Sequence, residues 1–460
     1  MQVNRSVGHA APETLASKLL FVFLLFVTVA ATVIYGAVDS AAIGLLAAAA
    51  ALIVLLWIAD AFGRGSLVVS KNLLQLPMIA LIAIGIIQLL PFAGAQLDPV
   101  LTGIELNRSL SMDPWATRSF AVRLIAISVF FAAALVFASS DTRTKKLVIT
   151  LVVFGTAMAF FGIIQRLAQP EAIYGLRPTP QAIPFGSYVN QHHFAALMEM
   201  TVGLTLGLAL GDGVKRDRKL LLWIAAVIMS LALIFTGSRG GMLSFTGVLV
   251  FVAAGTVIFR RRSNAGSKNT ETANSGRKLA AVAGAVAIVL VFLGLIAFLG
   301  AGEGLLRGIG GDPGSDPTSG RLHFWAIALK IFGANPILGA GLDAFGAAFP
   351  KYDTWNGMFR IEQAHNDYLQ MLADAGILGF ASLVAFVVFF FRTGIRSISR
   401  MQHRFDGSAA IGAMAGCFGI LIHSFVDFPL RTPANSLVFV LLLVVLTRKS
   451  EPDMRNGETT

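Results

Sequence analysis

Residues 220–259 read LLLWIAAVIMSLALIFTGSRGGMLSFTGVLVFVAAGTVIF. Two apolar runs, 219–236 and 240–259, flank a short polar turn, Gly237-Ser238-Arg239-Gly240-Gly241, and beyond Lys219 neither run carries a charge. Each is close to the ~20 residues an α-helix needs to cross the hydrocarbon of a bilayer. The pattern recurs at 17–36, 40–61, 73–93, 119–139, 146–166, 189–211, 279–301, 370–391, 408–428 and 431–448. These runs predict an all-α polytopic membrane protein of about twelve transmembrane helices. Composition agrees, since 56% of the 460 residues are hydrophobic and 13% charged, where a soluble domain carries roughly 25% charged. Continuous runs of this length exclude a β-barrel, whose strands alternate in polarity.

The first run follows Lys18, is too long for a signal-peptide core and has no clear small-residue cleavage site after it, so it is kept as a span. The amino terminus then lies inside. With alternating spans, the inner turns collect roughly 24 of the 36 basic residues, as the positive-inside rule requires. The net charge of +11 is therefore mostly a topology signal. It also suits the anionic headgroups of membrane lipids, and no nucleic-acid partner is read into it. The expected organisation is a cytoplasmic tail at 1–16, eight helices within 17–259, a basic cytoplasmic linker at 260–278 and a ninth helix at 279–301. A periplasmic loop with amphipathic helices at 302–369 follows, forming a lid between the ninth and tenth helices. Three more helices within 370–448 and a tail at 449–460 end the chain. Both termini are expected to be cytoplasmic, in a bacterial inner membrane. The single cysteine, Cys417, excludes an intrachain disulfide and a thiolate metal site.

Polar residues concentrate at 320–379. From Arg321, the apolar residues Leu322, Trp325, Leu329 and Phe332 recur at steps of three and four, which predicts an amphipathic helix at the membrane surface. A turn at Asn335-Pro336, the run Gly339-Ala340-Gly341 and a second short helix before Tyr352 come next.

Arg239, at the expected outer end of its span, is costly there unless it meets an anion, backbone carbonyls or water. Its planar fork suits a phosphate or diphosphate, and the flanking glycines let backbone approach such a ligand. The plainer alternative is an arginine snorkelling to lipid phosphates. Arg321 is either a second arm on the same anion or an interfacial anchor. His365, followed by Asn366, Asp367 and Tyr368, offers an imidazole that can take a proton from an attacking hydroxyl near neutral pH; otherwise it is a cap or a hydrogen-bonded filler. Asn190, His192 and His193 open the sixth span, with Glu199 deeper on the helix. Adjacent histidines diverge on a helix, so polar lining or sugar contact is favoured over a metal. His423, Asp427 and Arg431 run out of the eleventh span at steps of four, and Asp427 with Arg431 is the pair expected there, tying the bundle or lining a cavity.

Taken in series, these motifs resemble the O-antigen ligase and polymerase superfamily of bacterial inner-membrane proteins. The resemblance rests on Tyr188-Val189-Asn190 with His193-Phe194-Ala195, Thr236-Gly237-Ser238-Arg239-Gly240, Gly320-Arg321 with Trp325, and Asn335-Pro336 with Gly339-Ala340-Gly341. His365-Asn366-Asp367-Tyr368-Leu369 with Gly376 and Gly379, and His423-Ser424-Phe425-Val426-Asp427 with Pro429-Leu430, complete it. It implies a glycosyltransferase, independent of metals and cofactors, that passes a glycan from an undecaprenyl-diphosphate carrier to a hydroxyl of lipid A core at the periplasmic face. Arg239 and Arg321 would hold the diphosphate and His365 would be the base. Asn190, His193, Ser238, Asn366, Asp367, Tyr368, Asp427 and Arg431 would line the substrate site. An O-antigen or exopolysaccharide polymerase and a protein O-oligosaccharyltransferase fit the same motifs. A polysaccharide transporter or flippase, motivated by the number of spans, and a scaffold in an assembly complex are the non-enzymatic alternatives.

Overall fold

The computed structural model describes residues 13–92, 109–168, 172–180, 182–211, 213–264, 320–355, 360–401 and 404–448. The expected ninth helix at 279–301, most of the linker, the start of the lid and both tails lie outside them. Within them the protein is all-α and polytopic. The membrane helices are α1 (Leu15–Val33), α2 (Ser40–Arg64), α3 (Gln75–Gln88), α4 (Pro114–Phe137), α5 (Asp141–Ala168), α6 (Gln191–Leu210), α7 (Arg216–Phe235) and α8 (Arg239–Asn264). After α9 (Arg321–Ala334) and the single turn α10 (Phe345–Ala348) come α11 (Asp367–Arg400), α12 (Arg404–His423) and α13 (Pro433–Thr447). Among the described residues nine helices are long and apolar enough to span a bilayer, and α3 and α13 are shorter apolar helices. The only strands there are β1 (Ala172–Ile173) and β2 (Arg177–Pro178), an antiparallel pair in the connection before α6.

Helices in a bilayer gain nothing from hiding apolar surface from one another, so close packing must hold them together. The core is α6, buried from His193 to Ala209, and its main partner is α12. Small residues let the two backbones touch. A Cβ built on Gly203 would meet Gly416 N at 2.8 Å, and one on Gly207 would meet Gly412 Cα at 2.5 Å. Around this pair α5, α7, α8, α11 and α13 form the first ring.

Ion pairs close one end of the bundle. Arg448 is buried against Asp406 and Asp141, while Arg143 donates to Ser17 Oγ at 2.9 Å and lies 3.4 Å from Glu13. At the opposite end, α11 is broken at Gly376, whose φ of 62° and ψ of −160° are non-helical. The carbonyls released there accept from the 335–343 segment: Ala340 N–H donates to Ala373 O at 2.8 Å and Gly341 N–H to Asp374 O at 3.0 Å. Gln88, at the end of α3, locks the junction by donating to Asp374 O at 2.8 Å and accepting from Leu342 N at 2.9 Å.

The surface helix α9 corrects the expected orientation. Its inward face is Phe324, Ile327, Ala328 and Ile331, whereas Leu322 and Leu329 of the expected stripe are exposed. Both faces are apolar, so periodicity alone did not choose between them; packing on Phe345, Phe349 and Ala364 did.

Candidate active site

The end of the bundle bearing the break in α11 gathers most of the polar side chains singled out above. His365 precedes α11 in the left-handed region, φ 51°, a conformation non-glycine residues adopt at a cost and that collects at functional sites. The next residue, Asn366, is the N-cap and accepts from the backbone N–H of Tyr368 at 3.0 Å and Leu369 at 3.1 Å. Helix initiation therefore fixes where the imidazole emerges. Its Nδ1 lies 3.2 Å from Asp427 Oδ1, and the ring packs edge-on to Phe428 with centroids 4.9 Å apart. The His365 side chain is 31% exposed while Asp427 is 2% exposed, so the carboxylate sits behind the ring and the ring is partly open.

Burial alone would push the Asp427 carboxyl up, but the hydrogen bond with His365 and the fields of His192 and His193 hold it well below the ordinary carboxylate range. An ionised Asp427 keeps the proton on Nδ1 and leaves Nε2 as a base.

Asp427 was expected to pair with Arg431 and does not. The helix α12 ends at His423, and residues 424–428 turn away before the 3-10 turn Pro429–Arg431, so the i, i+4 geometry is lost. Arg431 instead binds Asp343, lies 2.8 Å from Asp374 Oδ2 and 3.6 Å from Asp367 Oδ1. A second arginine, Arg123 of α4, lies 3.6 Å from Asp343 and donates to Arg431 O at 3.1 Å. Burial opposes the charge on Arg431, yet Asp343 and Asp374 hold its pKa above the ordinary value. Asp343 is correspondingly held below its own, against burial, by Arg431 and Arg123.

Asp343, Asp374 and Arg123 escaped the reading of the sequence. Two of them carried a signal, a lone charge inside an apolar run, which in a bilayer calls for a partner. An apolar cavity of about 200 Å³ runs from Arg431 and Asp367 down between α3, α4, α11, α12 and α13, past Phe120, Phe386 and Phe439.

Arg321 begins α9 behind Gly320, which adopts φ 83° between Phe324 and Trp355. Its Nε is buried and has no hydrogen-bond partner among the described residues, as is the neighbouring Trp325 Nε1. The Arg321 charge lies within electrostatic reach of His192 and His423, and His192 is within reach of Asp427 and His365. Four of the ionisable groups at this end, His192, His365, His423 and Asp427, thus share one neighbourhood with Arg321.

Arg239 is exposed at the first position of α8. The following Gly240 packs so closely on α12 that a Cβ there would meet Val426 at 2.7 Å and the His423 ring at 3.1 Å. Ser238 caps α8, accepting from Gly241 N at 3.1 Å, and its hydroxyl is 2.8 Å from His192 Nδ1.

The remaining candidates do structural work. Asn190 caps α6 by accepting from His192 N at 2.8 Å. His193 is buried, with Nδ1 2.7 Å from Thr432 Oγ1 and its carbonyl accepting from Asn435 at 2.9 Å. The Tyr368 hydroxyl donates to Leu421 O at 2.7 Å, and Asp367 accepts from Ser424 Oγ at 3.0 Å. Deeper, His423 Nδ1 lies 2.8 Å from Glu199 Oε1, both fully buried, in an ion-pair contact rather than an aligned hydrogen bond. The lid adds a pair absent from the sequence reading: His323 Nε2 is 2.7 Å from Asp353 Oδ1 and stacks on Trp355, centroids 4.2 Å apart.

Taken together, the arrangement offers a carboxylate-backed imidazole that shares an electrostatic neighbourhood with a half-buried arginine whose Nε is unsatisfied, while an apolar cavity opens from Arg431 and Asp367. Residues 224–384 match the family model described as O-antigen ligase. That match takes in Arg239, Arg321 and His365 and stops short of Asp427 and Arg431. No curated protein matches the chain.

Proposed function

We propose that this chain, which matches the O-antigen ligase family model over residues 224–384, is a member of that superfamily and transfers a glycan from an undecaprenyl-diphosphate carrier to a hydroxyl of lipid A core at the periplasmic face. The acceptor oxygen attacks the anomeric carbon of the carrier-linked sugar. As that C–O bond forms, the bond to the diphosphate breaks and the carrier leaves with the electron pair. The acceptor proton passes to Nε2 of His365, and Asp427 stabilises the imidazolium. Arg239 and Arg321 face the charge that grows on the departing diphosphate, the type of fixed electrostatic stabilisation that usually contributes most. No metal enters this scheme.

The observation that carries the reading is the His365 and Asp427 pair, open on one side, within a shared field with the unpartnered Nε of Arg321. Asn366 and Asp367 orient the start of α11, and the apolar cavity below Arg431 suits the first isoprene units of the carrier. His193, Asn190 and Ser238 hold the opposite wall, with Tyr368 and Arg431 supporting it from α11 and the turn before α13.

The test is transfer by the purified chain, given lipid-linked glycan and lipid A core, compared with R239A, R321A and H365A. Core capped by long glycan, lost in all three folded variants, is the expected product. A lengthened carrier-linked glycan with uncapped core would make the protein a polymerase, and a glycosylated protein acceptor would make it an O-oligosaccharyltransferase. Undiminished transfer by all three variants would remove the mechanism, and solute uptake into proteoliposomes without transfer would favour a transporter.

A further inference from the structure

At the end of the bundle opposite the candidate active site, α5 and α7 diverge and leave a groove of about 820 Å³ floored by α6. Its walls are apolar, with Val152, Val153 and Phe160 from α5 facing Leu221, Leu222 and Ile228 from α7. Three cations, Lys145, Lys215 and Arg218, line its mouth. All three are exposed, and none forms an ion pair with a described carboxylate.

Among the described residues, the nearby acids are placed otherwise. Asp141 is bound to Arg448, and Asp217 lies on the first turn of α7 between two arginines. Lys219, the next cation along, donates to Gly211 O at 2.6 Å, while Lys145 sits 5.9 Å from the Phe405 ring centroid. The contrast with the other end is chemical: there Arg123 and Arg431 are matched by Asp343, Asp367 and Asp374, whereas these three cations are left for a charge supplied from outside.

We propose that this groove binds one anionic glycerophospholipid, its phosphate held by Lys145, Lys215 and Arg218 and its acyl chains lying between α5 and α7. The positive mouth and the apolar slot are continuous, so the ligand must itself join a negative headgroup to long apolar chains. A soluble phosphate satisfies the mouth alone, and a zwitterionic lipid fills the slot without matching the charge. Each cation near an anionic headgroup contributes on the order of a fivefold preference. The lipid also fills a gap between helices that nothing else in the described chain closes, so its binding stabilises the bundle by mass action.

The test uses the full-length chain in neutral detergent, with native mass spectrometry for retained lipid and the thermal midpoint for stability. Dioleoyl phosphatidylglycerol, dioleoyl phosphatidylcholine and water-soluble glycerol phosphate are the probes. Phosphatidylglycerol is expected to be retained and to raise the midpoint, with phosphatidylcholine weaker and glycerol phosphate inert. The preference should fall about fivefold with each of K145Q, K215Q and R218Q, and T156W, which fills the slot, should lose retention of both lipids. Equal retention of the two lipids by the wild type, an unchanged preference in every charge variant, or stabilisation by glycerol phosphate equal to that by the lipid would overturn the proposal.

Discussion

Sixty-two residues of chain separate His365 from Asp427, and only the turn after α12 brings them together. H365A is expected to lower the rate of transfer by about 10²- to 10⁴-fold, with binding of the lipid-linked donor retained; a single-turnover assay against a donor-binding assay separates the two. Arg431 belongs to stability instead. Replacing it by alanine strands the buried Asp374 and leaves Asp343 with Arg123 and Asp367 with Ser424 alone, and should cost about 3–5 kcal/mol, seen as loss of folded protein in size-exclusion profiles. R431K should not restore it, because a point charge cannot serve several carboxylates as a planar fork does. Asp343 gives this cluster a defined pH dependence. Its carboxyl is held low in the folded state, so its stabilisation is complete above the unfolded value of about 3.9 and is lost as pH falls through the folded value. The gap in thermal midpoint between wild type and D343N should therefore be constant from about pH 8 to 5 and close only below about pH 4; a gap that closes near neutrality would contradict the assignment.

At the scale of the element, the apolar runs made the spans legible, because about twenty residues without charge have one economical use in a bilayer. Their ends were less legible. The run 408–428 continues apolar through Phe425 and Val426, yet α12 stops at His423, and that early stop parts Asp427 from Arg431. Hydropathy does not register a helix end that is set by hydrogen bonds: Asp367 N–H donates to Ser424 O at 2.9 Å, a partner from another element. The same limit applies to α9, whose two apolar faces gave periodicity no way to choose. Gly376 was noticed as part of a motif, and the structure supplies its reason. Besides its positive φ, a Cβ there would meet Ile337 O at 2.4 Å. G376A is expected to cost on the order of 3 kcal/mol through strain and overpacking together, measurable as a lower thermal midpoint and faster proteolysis of the 335–343 segment.

For the whole molecule, the sequence made the class and most of the candidate residues accessible, since chemistry that must sit in a membrane is marked by polar groups where few are tolerated. It did not reveal how those groups divide. His365 pairs with Asp427, and Arg431 with its acids forms a separate cluster. That division depends on contacts between residues hundreds of positions apart, such as Arg123 with Arg431. The proposed orientation can be tested with cysteine labelling, because the one native thiol, Cys417, is fully buried. With a membrane-impermeant maleimide, W355C should react in intact cells and K215C only after permeabilisation. The reverse pattern would put the candidate active site on the cytoplasmic side.

The junction at Gly376 also constrains how the protein is made. Three stretches meet there, one from the third helix, one from the lid and one from the eleventh, and each supplies hydrogen bonds the others need. A ribosome that has delivered the lid but not yet α11 leaves the N–H groups of Ala340 and Gly341 without their acceptors. Gln88, inserted long before, must wait as well. The junction can therefore be assembled only once synthesis is about four-fifths complete, as a late step of biogenesis.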